Sequence, residues 1–120
     1  KDGDTLRVGR YALQVIATPG HTPGSLCFLM EHAVGPVLFS GDIVQFCPVG
    51  GQTGWISAAN IPQSDLAAYG QSVRKLAGRD IVALLPGHRL FTLRHGQRVI
   101  DAVIQGFAAG AIPRSVLGAI

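Results

Sequence analysis

One histidine lies between two Pro-Gly pairs in residues 18–24, a T-P-G-H-T-P-G stretch that separates two apolar runs, residues 11–17 and 26–30. Proline fixes φ and glycine tolerates positive φ, so the two pairs predict a stiff, sharply turned loop that holds His21 at the end of a strand. Rigid loops at strand ends are common positions for functional side chains. This stretch therefore predicts a site at the edge of a sheet.

Two later segments have the same organisation. The apolar run of residues 37–40 is followed by a glycine and Asp42, and the run of residues 81–85 is followed by Pro-Gly and His88. If the three runs are strands of one sheet, we expect His21, Asp42 and His88 along one edge. Imidazole and carboxylate groups are ligands that suit zinc, manganese or iron. The pattern predicts a metal site.

The length and composition indicate one domain. The chain has 120 residues, 48% of them hydrophobic, which is enough for a well-filled core over residues 1–120. No run approaches the roughly 18 consecutive apolar residues of a membrane-spanning helix, so we expect no membrane association. The first residue is Lys1 rather than methionine. We therefore expect the chain to begin downstream of a natural start, or to be processed.

The charge and the cysteine content indicate which binding partners and which cellular compartment to expect. The net charge is +3, and four basic residues fall within positions 79–98, where Phe91 is the one Phe, Tyr or Trp residue. A nucleic-acid interface requires a denser basic stripe, so we expect no nucleic-acid partner. Cys27 and Cys47 could pair, but Cys27 in its apolar run is more simply a small buried side chain. This favours a reducing compartment, with the cytoplasm as the expected location.

The order of elements predicts an α+β fold. A hairpin and two further strands come first, and a helix, a strand and a second helix follow. The predicted strands are residues 5–8, 11–17, 25–30, 37–40 and 81–85, and the predicted helices are residues 65–77, with Ser64 as N-cap, and 97–109. This order gives a sheet with helices on one face, and its opposite face needs a cover.

Residues 43–62 have no period and contain two prolines and three glycines. They are predicted to form a long loop over the site edge, since loops of this length are often functional. Phe46 and Trp55 are candidate substrate-facing aromatics, with packing of Trp55 onto the core as the alternative. Residues 110–120 are apolar and are left without a predicted element.

These segments together resemble the metallo-β-lactamase fold hydrolases. The resemblance rests on the D-G-D opening at residues 2–4, the T-P-G-H-T-P-G loop, F-S-G-D at residues 39–42, the helix with Ser72 and Leu76, and L-P-G-H at residues 85–88. Each motif is short, and their order along nearly the whole chain carries the likeness.

The resemblance implies an αββα sandwich with metals at one edge between its two sheets. It also implies that His21 binds the first metal, Asp42 bridges both and acts as the catalytic carboxylate, and His88 binds the second. A bridging water or hydroxide is then the nucleophile, and zinc is the expected cofactor, with manganese or iron as alternatives.

The chain departs from the family pattern in one respect. The family's remaining ligands come from a His-x-His-x-Asp-His motif, and no His-x-His occurs in this sequence. The chain therefore resembles the C-terminal half of the fold. Either it is part of a longer protein whose N-terminal half covers the open sheet face, or two copies form a homodimer that covers both faces.

The resemblance implies a hydrolase of small-molecule esters, thioesters, lactones or phosphodiesters, or the C-terminal half of one. The alternative is a catalytically inert half-domain that associates with itself and lacks a complete metal site. Arg89, next to His88, is a candidate for attracting an anionic group of the substrate. His32 and His95 are expected at the surface, and His95 could support the site from a distance.

Overall fold

The computed structural model describes residues 1–49, 52–57 and 61–110. Seven strands and two helices occur in these ranges, in the order strand hairpin, two strands, second hairpin, helix, strand, helix. The elements are β1 (Thr5–Val8), β2 (Tyr11–Ala17), β3 (Leu26–His32), β4 (Gly35–Gly41), β5 (Gln45–Val49), β6 (Gln52–Trp55), α1 (Leu66–Arg74), β7 (Ala83–Pro86) and α2 (Gly96–Ala108). The predicted α+β class is confirmed.

Five strands form the main sheet in the order β1-β2-β3-β4-β7. The first four pair antiparallel, starting with the predicted hairpin around Gly9, whose φ is 60°. Strand β7 pairs parallel to β4 after a crossover that contains β5, β6 and α1. Because β2 and β4 are separated by one antiparallel strand, β2, β4 and β7 all run in the same direction.

The two faces of this sheet differ in what covers them. Side chains alternate between the faces along each strand, and one set packs against both helices. That core contains Ile16, Cys27, Leu29, Leu38 and Leu84 of the sheet with Tyr69, Val73, Val99, Ile100 and Val103 of the helices. The predicted arrangement, with helices on one face, is therefore confirmed.

The opposite face of the sheet is also apolar. In the register of the strands, Leu6 lies level with Leu13, and Phe28 lies level with Phe39. These four side chains line a shallow groove of about 200 Å³ with no polar surface. Among the described residues, no helix or second sheet packs on this face.

Residues 43–62 were predicted to be one long loop, and this prediction is wrong for the described part. Strands β5 and β6 form a two-stranded antiparallel hairpin there. Gly54 is not a loop glycine: a Cβ at this position would lie 2.4 Å from the carbonyl oxygen of Val99, so glycine permits close approach of α2. Residues 50, 51 and 58–60 of this segment lie outside the described residues.

The helices are confirmed with shifted ends. Helix α1 is shorter than predicted, and its N-cap is Asp65, whose carboxylate accepts a hydrogen bond from the Ala68 N–H at 3.0 Å. The predicted N-cap, Ser64, instead donates its hydroxyl to the carbonyl oxygen of His21. Helix α2 is one residue displaced from the prediction. The predicted single domain over residues 1–120 stays a prediction, and residues 111–120 lie outside the described residues.

Two further expectations concern the membrane and the cysteines. Neither helix of the described ranges is long and apolar enough to cross a membrane. Cys27 and Cys47 are both free, and Cys27 is buried. Burial raises the pKa of the Cys27 thiol to about 11, so this side chain is a neutral core residue near neutral pH.

Candidate metal centre

The three predicted polar residues lie just beyond the ends of three strands that run in the same direction. His21 follows β2, Asp42 follows β4 and His88 follows β7. The carboxyl ends of such strands share one edge of a sheet, and all three side chains come together there. The topology therefore assembles residues that are far apart in the sequence.

The Asp42 carboxylate lies between the two imidazoles. Its Oδ1 is 2.6 Å from Nδ1 of His88, and its Oδ2 is 3.6 Å from Nε2 of His21. The first distance is a hydrogen bond and the second is not. His21 is largely enclosed, with 17% of its side chain exposed, whereas His88 has 70% exposed.

The gap between His21 and Asp42 is compatible with a cation. Two ligand atoms that each lie about 2.1 Å from a tetrahedral ion are about 3.4 Å apart. The observed 3.6 Å is close to this separation, whereas the 2.6 Å contact to His88 leaves no space for an ion. His88 keeps its other ring nitrogen, Nε2, for a further ligand. The donor types and spacing thus fit a metal ion at the His21 side of Asp42.

The number of ligands falls short of a complete site. Within the described ranges, no group of three or more His, Cys, Asp or Glu side chains could hold a metal ion by itself. A catalytic zinc ion has three protein ligands and one open position. The described residues therefore do not form a complete metal site.

The His21 loop is fixed by the segment that leads into α1. Three consecutive carbonyl groups of the loop accept hydrogen bonds from this region. The bonds run from Ser72 Oγ to Pro19 O at 2.6 Å, from Asp65 N to Gly20 O at 2.8 Å and from Ser64 Oγ to His21 O at 2.8 Å. A Cβ on Gly20 would lie 2.5 Å from the Cα of Tyr69. The His21 loop is therefore in direct contact with α1, and there is no space for a side chain at position 20.

Tyr69 of α1 fixes the backbone beside Asp42. Its hydroxyl proton is shared between the carbonyl oxygens of Asp42 at 2.9 Å and Ile43 at 2.7 Å, and its oxygen accepts the N–H of Ser57 at 3.1 Å. Burial raises the pKa of the Tyr69 hydroxyl, so it remains a neutral donor. One helix therefore positions both the His21 loop and the Asp42 turn.

Gln45 is a second residue at this site that the sequence did not reveal. It is fully buried, and its Nε2 is 3.3 Å from Oδ1 of Asp42. Tyr69 was predicted only as part of the apolar face of a helix. A sequence signal for Gln45 does exist, because it is one amide in the otherwise apolar residues 43–46.

The predicted substrate-facing residues have different surroundings. Trp55 is 2% exposed, and its indole N–H donates to the carbonyl oxygen of Cys47, so it packs in the core, as the alternative prediction has it. Phe46 is half-buried and forms a β-bridge with Leu90 in the loop after His88. Arg89 is exposed with a φ of 67°. Its proposed role in attracting anions stays a prediction.

The two remaining histidines lie away from Asp42. His32 is exposed at the end of β3, and its Nδ1 accepts the Val34 N–H at 3.3 Å. His95 is exposed and forms the N-cap of α2 with a φ of 59°. Both lie at the surface, as the sequence predicts.

Comparison with known proteins identifies the family. The sequence model of the metallo-beta-lactamase superfamily matches residues 1–88. The chain belongs to the metallo-beta-lactamase superfamily. The acyl-coenzyme A thioesterase MBLAC2 of Gallus gallus is 36% identical over 90 residues, which are 73% of this chain and 30% of that protein.

A further relative is similar to this chain in sequence, and a solved structure is similar to it in fold. A probable polyketide biosynthesis zinc-dependent hydrolase of Bacillus velezensis is 26% identical over 113 residues, 84% of this chain and 48% of that protein. The fold matches a superfamily protein of Thermus thermophilus with a TM-score of 0.66 and 23% identity, covering 91% of this chain and 34% of that one. The chain thus spans between about a third and a half of the length of these relatives.

Proposed function

We propose that this chain is the C-terminal half of a metal-dependent hydrolase whose substrates are small acyl compounds, with thioesters first among them. The convergence of His21, Asp42 and His88 on one sheet edge is the observation that carries the proposal. The superfamily assignment supports metal-dependent hydrolysis, and the likeness to an acyl-coenzyme A thioesterase supports the thioester class.

Each residue of the centre would have a separate task. His21 Nε2 and Asp42 Oδ2 would hold one metal ion, and the exposed His88 Nε2 would contribute to a second, with Asp42 between them. Divalent metal ions such as zinc, when bound, supply positive charge that activates water and polarises the bond to be cleaved. The hydrogen bond from His88 Nδ1 to Asp42 Oδ1 would orient the ring, as such bonds do for histidine ligands.

We further propose that the missing ligands come from a second layer that covers the apolar sheet face. Exposed apolar patches of this kind mark interaction sites in soluble proteins. The groove lined by Leu6, Leu13, Phe28 and Phe39 is the centre of that face. The other half of the sandwich is the expected cover, and a second copy of the chain is the alternative.

Sedimentation equilibrium tests whether a second copy of the chain covers the apolar sheet face. If a second copy covers the face, the chain sediments as a dimer at micromolar concentration, and Phe28→Glu converts it to a monomer while Gln14→Glu, an exposed control on the same sheet, leaves it dimeric. A wild-type monomer rules out the homodimer. In that case, our proposal requires that a separate polypeptide containing the half of the fold with the His-x-His-x-Asp-His motif binds this chain.

Metal content and hydrolysis test the function. The chain is loaded with zinc or manganese, alone and with the complementary half, and its metal content is measured by elemental analysis. Hydrolysis of a generic thioester, lactone and phosphodiester is then assayed. We expect zinc uptake that Asp42→Asn reduces by at least about tenfold, and thioester cleavage by the assembled protein.

A second candidate function has its own support. Within the described residues the ligand set is incomplete, which is what a catalytically inert, self-associating half-domain would show. Such a module would form dimers, take up no metal and cleave none of the three substrates in either assay. Metal uptake that depends on Asp42 would exclude it.

A further inference from the structure

Gln45 is a buried polar side chain at the base of the candidate metal centre. It lies at the start of β5, three residues after Asp42, and none of its surface is accessible to solvent. Its Nε2 faces three oxygen atoms: the Gly41 carbonyl at 3.1 Å, Asp42 Oδ1 at 3.3 Å and Ser57 Oγ at 3.0 Å. Two N–H groups thus serve three acceptors, so at least one proton is shared.

The orientation of the amide follows from these neighbours. A flipped amide would place Oε1 against the Gly41 carbonyl and the Asp42 carboxylate, neither of which can donate a hydrogen bond. The orientation with Nε2 toward the carboxylate is therefore the favourable one. It leaves Oε1 buried without a hydrogen-bond partner among the described residues. Leaving a buried acceptor unpaired is costly, so the contacts on the Nε2 side outweigh this loss.

The amide makes the two oxygens of the Asp42 carboxylate unequal. Oδ1 faces both Gln45 and His88, whereas Oδ2 faces His21 across the 3.6 Å gap. Without a fixed donor, the carboxylate could rotate about its terminal torsion, which is broad for Asp side chains. Donors on one oxygen restrict this rotation, and of the two donors on Oδ1, Gln45 is fully buried whereas His88 is mostly exposed.

We infer that Gln45 is a positioning residue, which holds the Asp42 carboxylate so that Oδ2 is presented as a metal ligand on the His21 side. The inference rests on the proposed function, because it assigns Asp42 as a ligand. Gln45 itself would touch neither metal nor substrate. Its own position is fixed by the Gly41 carbonyl and by Ser57, whose N–H is bonded to Tyr69.

The test compares Gln45→Met with Gln97→Met in the full chain. Both changes remove a glutamine amide that bonds to the backbone, but Gln97 bonds to Ile81 and Leu76, away from Asp42. Zinc affinity is measured by competition with a chromophoric chelator. Order of the Asp42 carboxyl group is measured by carbon-13 relaxation in metal-free protein. We expect Gln45→Met to weaken zinc binding about tenfold and to mobilise the carboxylate, with Gln97→Met neutral in both.

A second variant covers the case in which Gln45→Met does not fold. Ser57→Ala removes one anchor of the amide and leaves Gln45 in place, so it should mobilise the Asp42 carboxylate and weaken zinc binding by less than tenfold. Equal effects of the Gln45 and Gln97 variants would overturn the inference, as would an unchanged carboxylate. If the wild-type chain binds no zinc even in the presence of the complementary half, the proposed metal function fails, and the metal-free relaxation data alone decide the role of Gln45.

Discussion

The two imidazoles on either side of Asp42 are held in different ways. The backbone of the His21 loop is bonded at three consecutive carbonyls to the α1 region and packs against Tyr69. His88 lies on an exposed turn, followed by a loop in which Leu90, Phe91 and Leu93 are also exposed. One side of Asp42 is therefore built into the core of the chain, and the other side is accessible to solvent.

We expect substitutions on the two sides of Asp42 to differ in their effect on stability. Changes on the His21 side should lower the free energy of unfolding, because they disturb buried contacts. Changes on the His88 side should leave stability unaltered and affect only ligand binding. Four variants test this contrast.

The largest effect is expected for Gly20→Ala. The new Cβ would lie 2.5 Å from a backbone atom of Tyr69, and the φ of 152° at this position disfavours a side chain. We expect a loss of about 3 kcal/mol in the free energy of unfolding, measured by urea denaturation. Gly24→Ala is the control, because no atom lies within 4 Å of its Cβ. Equal stability of the two variants would contradict the close packing of this loop.

Tyr69→Phe should have the next largest effect. It removes the hydroxyl that serves the Asp42 and Ile43 carbonyls and the Ser57 N–H, and leaves these groups unpaired in a buried place. The expected loss is about 2 kcal/mol in the free energy of unfolding. Tyr11→Phe at the exposed end of β2 should change stability by less than about 0.5 kcal/mol. If both variants are neutral, α1 does not anchor the Asp42 turn.

Ser64→Ala should cost about 1 kcal/mol, because it removes one hydrogen bond to the His21 carbonyl. Asp65→Ala removes the helix N-cap at a similar cost but leaves the Ser64 bond in place. Nitrogen-15 shifts of the His21 ring distinguish them: only Ser64→Ala should move this signal. A shift in both variants would show that the position of the His21 ring depends on the N-cap of α1 and not specifically on the Ser64 hydrogen bond.

His88→Ala should have the smallest effect on stability, within about 0.5 kcal/mol, because the side chain is mostly exposed. It should nevertheless reduce zinc uptake, which elemental analysis measures. His95→Ala, at another exposed histidine, should change neither quantity. A large loss of stability in His88→Ala would remove the contrast between the two sides of Asp42.

The main elements and the three polar positions could be predicted because their signals are local. Alternating apolar runs and Pro-Gly punctuation mark where β2 and β7 end, and strands that run in the same direction place those ends together. The helices carry a 3.6-residue period of apolar side chains. The hairpin of β5 and β6 was missed because Gly54 has the same local signature in a loop and in a close contact with a helix.

The supporting residues of the centre could not be predicted for a related reason. Tyr69 lies 27 positions after Asp42, and Ser57 lies 12 positions after Gln45, so their hydrogen bonds depend on how α1 and β6 pack. Ser64 illustrates the same point, because as a serine before a helix it has the signature of an N-cap. Packing brings the His21 carbonyl within 2.8 Å and gives its hydroxyl another partner.

Neighbouring residues and side-chain type were enough to predict the main-sheet strands, both helices, the stiff turn around His21 and the chemistry of the three candidate ligands, but not the hairpin of β5 and β6. The packed fold was needed to show which oxygen of Asp42 faces His21, that Trp55 packs in the core, and that Gln45 and Tyr69 form hydrogen bonds with Asp42. These features are distances between residues far apart in the chain. Such distances are set by close packing of the sheet against its helices, which no local pattern encodes.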